Sequence, residues 1–140
     1  MNIALRTLGD YEYFIYSLVE QFPIIKQSTV TVVRSGATLA RVAGELLLAG
    51  DFRIVVRERL VFDRLPGAID WYGYEVWRGE EKLYWYDCQP HPHEPALQEN
   101  HPHHKHIPPE MKHHRVTALN MRFDAPNLPE VIREIEKLLV

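Results

Sequence analysis

The chain has 140 residues, 46% apolar and 25% charged, with a formal net charge of −3 when its eight histidines are neutral. This length supports one core, the balance is that of a soluble globular domain, and the charge gives no overall argument for a nucleic-acid partner. A single cysteine, Cys88, excludes an intramolecular disulfide, and no stretch reaches the roughly 20 apolar residues of a membrane-spanning helix, so the chain reads as cytoplasmic.

Asp10 precedes apolar residues at Tyr11, Phe14, Ile15, Leu18, Val19 and Phe22. Their spacing of three and four predicts a helix over 10–22, capped by Asp10 and ended by Pro23. From 28 to 88 the pattern is strand-like. Residues 28–34 are β-branched and alternate, and 35–36 is a turn. Residues 37–48 favour helix by composition, but Gly44 in mid-run and a tight 49–51 turn predict a strand. In 52–62, Phe52, Ile54, Val56, Leu60 and Phe62 share one face, interrupted by Glu58, and Arg53, Arg57 and Arg59 share the other. Residues 70–77 and 82–88 form an aromatic hairpin. A last strand is predicted over 116–123 and a helix over 127–139, with Asn127 and Glu130 as its capping pair. These elements predict a single α+β domain over 1–140: a mainly antiparallel sheet with an N-terminal and a C-terminal helix packed on it.

All eight histidines and five of the ten prolines lie in 91–115, HPHEPALQENHPHHKHIPPEMKHHR. Proline at this density predicts a long, stiffened, exposed loop over 89–115, and long irregular loops in compact domains are functional or disordered. Histidine exchanges protons near neutral pH. Neighbouring histidines, lysines and arginines together supply what metal-free RNA cleavage requires: a base for the ribose 2′-hydroxyl, an acid for the leaving oxygen and cations around the phosphorane. The runs 103–106 (HHKH) and 112–115 (KHHR) combine these groups. The last strand of the hairpin ends at Asp87, where a carboxylate would orient a histidine ring. The face with Arg53, Arg57 and Arg59, joined by Lys112 and Arg115, is the candidate for backbone phosphates, and the hairpin aromatics for unpaired bases. Two other chemistries stay open. The pairs His91/His93 and His104/His106 have the His-x-His spacing of ligands to Zn or another divalent transition metal, and 104–110 has the H-x-H-x3-E spacing of cupin-like enzymes. The loop would also serve a non-enzymatic protein- or metal-binding module.

The run YGYEVWRGEEKLYWYDCQPHPHEP, followed by HPHHKHIPPEMKHHR and PNLPEVIREIEKLL, resembles the TumE-type toxins of toxin–antitoxin pairs over nearly the whole chain. The resemblance implies a toxin, with ribonuclease activity expected, neutralised by a small DNA-binding antitoxin. The residues it singles out are Asp87, His91, His103, His104, Lys105 and His106. Together with the loop chemistry it predicts a metal-independent endoribonuclease with no cofactor, RNA as substrate and no membrane partner, with a homodimer left open. His104 and His106, with Lys105, are the expected acid–base and phosphate-stabilising centre.

Overall fold

In the computed structural model, which describes residues 3–140, eight strands form one antiparallel sheet. They are β1 (Ile25–Ser28), β2 (Thr31–Ser35), β3 (Leu39–Leu48), β4 (Phe52–Val61), β5 (Ala68–Arg78), β6 (Glu81–Asp87), β7 (His104–His106) and β8 (Arg115–Thr117). The order across the sheet is β1-β3-β4-β5-β6-β7-β8, with β2 also paired to β3. Three helices accompany it: α1 (Leu8–Tyr16), α2 (Leu18–Gln21) and α3 (Leu128–Leu138). Among the described residues no helix is long and apolar enough to cross a membrane.

Alternation divides the sheet into two faces with different fates. Ile54, Val56, Leu60, Tyr72, Tyr74, Val76, Tyr84 and Tyr86 turn to the inner face and join the core. There they meet Tyr11 and Ile15 of α1 and Leu128, Val131, Ile132 and Ile135 of α3. The hairpin tyrosines are therefore core residues, with no face free for a base. Glu58, 2% exposed, interrupts this apolar row. The Tyr11 hydroxyl donates to it at 2.5 Å and the Tyr74 hydroxyl donates to its other oxygen, so a buried carboxyl is satisfied by two elements at once. Burial raises its pKa even against those two hydrogen bonds.

The predicted strand over 37–48 is present as β3. Gly44 has φ +144°, and a Cβ there would lie 2.5 Å from the Thr29 carbonyl oxygen. The chain opposite crosses so close at 29–30 that pairing breaks there: the strand expected over 28–34 runs only from Thr31 as β2, and β1 before it is a further strand that the pattern did not indicate. The N-terminal helix starts earlier than expected. Thr7 is its cap, accepting from the Asp10 amide at 3.1 Å, while Asp10 takes the Thr7 hydroxyl. Ser17 interrupts the helix by bonding back to the Tyr13 carbonyl at 2.5 Å. At α3, Asn127 makes no side-chain cap. Its amide instead bridges the Arg122 backbone and Tyr74, fixing the turn that enters the helix. The last strand is only Arg115–Thr117, because the chain turns at 118–121 where Asn100 Nδ2 donates to the Ala118 and Met121 carbonyls.

Candidate active site

The histidine-rich segment is a loop only in part. Proline bars a strand where it falls, and Pro102 and Pro108 stand outside the three residues 104–106. Those three are free to pair, and β7 adds to β6 with Asp87 opposite His104 and Trp85 opposite His106. Asp87, Trp85, His104 and His106 thus lie on the same outer face, away from the helices. Covering them is the turn at 91–97, closed by Gln98 Nε2 to the His91 and Glu94 carbonyls and by the His91 amide to His101 Nε2 at 3.0 Å. His104 and His106 are consequently 1% and 5% exposed, which corrects the expectation of an exposed loop there.

Asp87 gathers this cluster. Its Oδ1 lies 2.6 Å from His104 Nε2 and accepts the Gln89 amide at 3.1 Å. Its Oδ2 accepts the Trp85 indole N–H at 3.1 Å and lies 3.1 Å from His106 Nε2. Burial by itself raises the Asp87 carboxyl, but the hydrogen bonds from His104, His106 and Gln89 outweigh it and hold the group far below the carboxylate range. His104 Nδ1 faces the Pro102 carbonyl at 3.0 Å and its Nε2 faces the carboxylate, so both ring nitrogens meet acceptors and the imidazolium fits. Burial opposes that charge, yet Asp87 and the Pro102 carbonyl prevail and raise the pKa. His106 donates Nδ1–H to the Met111 carbonyl at 2.6 Å, its ring stacks on Trp85 at 3.9 Å, and its Nε2 is 3.1 Å from that of His104.

His91 sits edge-on to His104, with centroids 5.0 Å apart, at the rim of the cluster. Arg115 lies 3.1 Å from its Nε2 and pairs with Glu94, which joins the start and end of the loop. Burial, then the charges of Arg115 and His104, depress the His91 pKa. Two adjacent rings are therefore pushed in opposite directions, one toward the charged form and one toward the neutral form.

The other residues singled out by the sequence are elsewhere. Alternation within β7 turns Lys105 to the helix side, where its ammonium meets Glu134 at 3.1 Å and lies over the Tyr84 ring at 4.1 Å. It does not form one centre with His104 and His106. His103 precedes β7, is buried, and bonds the Tyr72 hydroxyl at 2.6 Å beside Phe123. His93 and Lys112 are exposed and do not join the cluster. Glu110, the carboxylate of the H-x-H-x3-E spacing, lies in an exposed turn, and the carboxylate at the histidine pair is Asp87. Arg53, Arg57 and Arg59 do share the outer face, each held by a carboxylate: Glu45 at 3.1 Å, Glu75 at 3.2 Å and Asp70 at 2.6 Å. Trp85 and Glu94 are contributors that sequence reasoning did not select. Trp85 stands two residues before Asp87, and a period of two was the signal available for it.

A family model described as Toxin TumE matches residues 15–139. No curated protein and no solved structure matches the chain.

Proposed function

This chain belongs to the TumE toxin family, and from that premise we propose that it is the toxin of a toxin–antitoxin pair and acts as a metal-independent endoribonuclease. One observation carries the reading: Asp87 bridges two buried histidines on the outer face of the sheet, two strands away from a row of arginines on the same face. In the proposed reaction His91, the neutral ring, takes the proton of a ribose 2′-hydroxyl, and the 2′-oxygen attacks phosphorus. The bond to the 5′-oxygen breaks, and the His104 imidazolium protonates that leaving oxygen, giving a 2′,3′-cyclic phosphate and a free 5′-hydroxyl. Arg115 at the rim stabilises charge on the phosphorane. Asp87 and the Pro102 carbonyl keep His104 charged, and His106 packs against it. Since His104 is 1% exposed and both its N–H groups face acceptors, the substrate has to enter between the His91 and His104 rings, and the leaving oxygen takes the place of Asp87 on the His104 Nε2–H. The partner proposed for neutralisation is a small DNA-binding antitoxin.

The test is cleavage of a defined RNA by purified protein, with product ends identified. Cyclic phosphate ends made by the wild type, with a loss of about 10²- to 10⁴-fold in His104→Ala, support the reading. Folded His104→Ala protein that cuts at the wild-type rate refutes it.

A second reading is favoured by a separate feature. Asp87, His104 and His106 each offer a ligand atom within 4.8 Å of the others, and both histidines have Nδ1 on a backbone carbonyl, the outer bond that orients metal-binding imidazoles. A divalent transition metal there would make the centre metal-dependent. Stoichiometric metal in purified protein, with activity lost to chelator and restored by that ion, selects this reading.

A further inference from the structure

The outer face continues beyond the cluster in two registered rows. In the first, Arg57 pairs with Gly73, Gly73 with Asp87, and Asp87 with His104. In the second, Arg41 pairs with Arg59 and Arg59 with Trp71. Between the rows lies a cavity of about 300 Å³ lined by Arg41, Ala43, Arg57, Arg59 and Trp71, with Val42 and Glu58 at its floor, the Glu58 carboxyl being turned to Tyr11 and Tyr74 on the inner face. It stands about two strand spacings, roughly 10 Å, from Asp87. Gly73 lies on the path. A Cβ added to it would have only the Trp71 ring within 4 Å, at 3.7 Å, so its backbone does not require glycine and the space above it is open.

Two features here work against stability. Like charges directly opposite on a sheet are unfavourable, and Arg41 faces Arg59. Asp70 neutralises Arg59, whereas Arg41 has no carboxylate partner among the described residues. Trp71 is 39% exposed beside this pair. A polyanion with aromatic units resolves both: its phosphates face the arginines and a base covers the indole.

We propose that Arg41, Arg57, Arg59 and Trp71 form a nucleotide subsite that holds an unpaired base and its flanking phosphate of single-stranded RNA, on a track that passes over Gly73 to the Asp87–His104 centre. This rests on the ribonuclease reading and deepens it by naming unpaired RNA as the substrate class. Duplex RNA is excluded from the subsite because its bases are stacked on one another and unavailable to Trp71.

The test measures binding of a short fluorescein-labelled single-stranded RNA to the full chain carrying His104→Ala, which prevents turnover, with cleavage by the otherwise wild-type chain followed in parallel. Adding Trp71→Ala should weaken binding by roughly 5- to 150-fold, and Trp71→Phe should restore most of it. Arg41→Ala should reduce the slope of log affinity against log salt by about 0.7, one phosphate contact. Gly73→Val, which improves strand propensity, should weaken binding without lowering the melting temperature. Duplex RNA of the same sequence should bind equally well with and without Trp71→Ala. If wild-type protein cleaves RNA while the Trp71, Arg41 and Gly73 variants bind and cleave as their parents do, the subsite is refuted and the ribonuclease reading stands. If wild-type protein neither binds nor cuts RNA, both fall. If these variants keep RNA but lose the antitoxin, the face is a protein interface and the inference is overturned.

Discussion

Replacing Asp87 with Asn perturbs the centre with the least change of shape. The amide has one acceptor oxygen where the carboxylate has two, so it can serve Gln89 and His104 or Trp85 and His106 but not both pairs. Its NH2 group meets N–H donors on the other side, and the negative charge facing His104 is lost. A hydrogen bond to a charged group contributes about 1.5–3 kcal/mol, which for a chain of this size corresponds to a fall in Tm of about 5–10 °C. The loss should depend on pH, and the sign follows from the two shifts. His104 has a raised pKa in the fold, so its contribution is full below about pH 6.5, the unfolded value, and fades as pH rises through the folded one. Asp87 has a lowered pKa, so its contribution is full above about pH 4 and fades only as pH falls toward its folded value. The wild type–variant difference in Tm should therefore be largest near pH 5.5 and smaller near pH 9.5. In the cleavage assay, the wild type should be active in a band around pH 6.5, needing His91 neutral on the acid side and His104 charged on the alkaline side. Asp87→Asn should move the alkaline limb to lower pH and leave the acid limb nearly in place. An equal Tm loss at both pH values, or an unmoved alkaline limb, would refute the role given to Asp87.

Other outcomes follow from the same geometry. Lys105→Met should leave the pH profile of cleavage unchanged, because the ammonium lies on the helix side; a profile that loses a limb would return Lys105 to the centre. EDTA should leave cleavage unchanged, and metal analysis after dialysis decides between the two readings of the triad. Reversing charge at Arg53, Arg57 and Arg59 together should weaken RNA binding and flatten its salt dependence, and an identical salt slope would remove that face from the RNA path. Gly44→Ala should destabilise the fold by about 3 kcal/mol in urea melts, because Thr29 occupies the space a methyl needs and φ is positive; an unchanged midpoint would show that β1 and β2 can move aside.

The sheet was readable where alternation was uninterrupted. Residues 52–62 show both faces directly, and Glu58 stood out there as the one polar group on the apolar side. The site was readable as composition and only partly as geometry. Asp87 was marked by ending a strand, and the two-residue spacing of His104 and His106 already implied rings on one side. The same spacing requires Lys105 to point the other way if the segment is extended, and the proline content concealed that extension because it counts residues without regard to where the prolines stand. His103 was drawn into the cluster by adjacency, yet the strand begins one residue later and its ring belongs to Tyr72. The Trp85 contact and the Arg115–Glu94 closure depend on pairings across 20 or so residues, which single-sequence periodicity does not encode.

The two strands that complete the centre have three residues each. They lie at the margin of the sheet, beyond β6, and the longer strands β3 to β5 hold the middle. Regions with few buried contacts open at a lower free energy than the whole fold. Amide exchange should accordingly be fast across 104–106 and 115–117 while Ile54, Val56 and Tyr74 remain protected. Activity would then have its own melting curve, below that of the core. Mild heat or low urea would silence this toxin reversibly while most of the molecule stays folded, and anything that clamps the margin of the sheet would extend its working range.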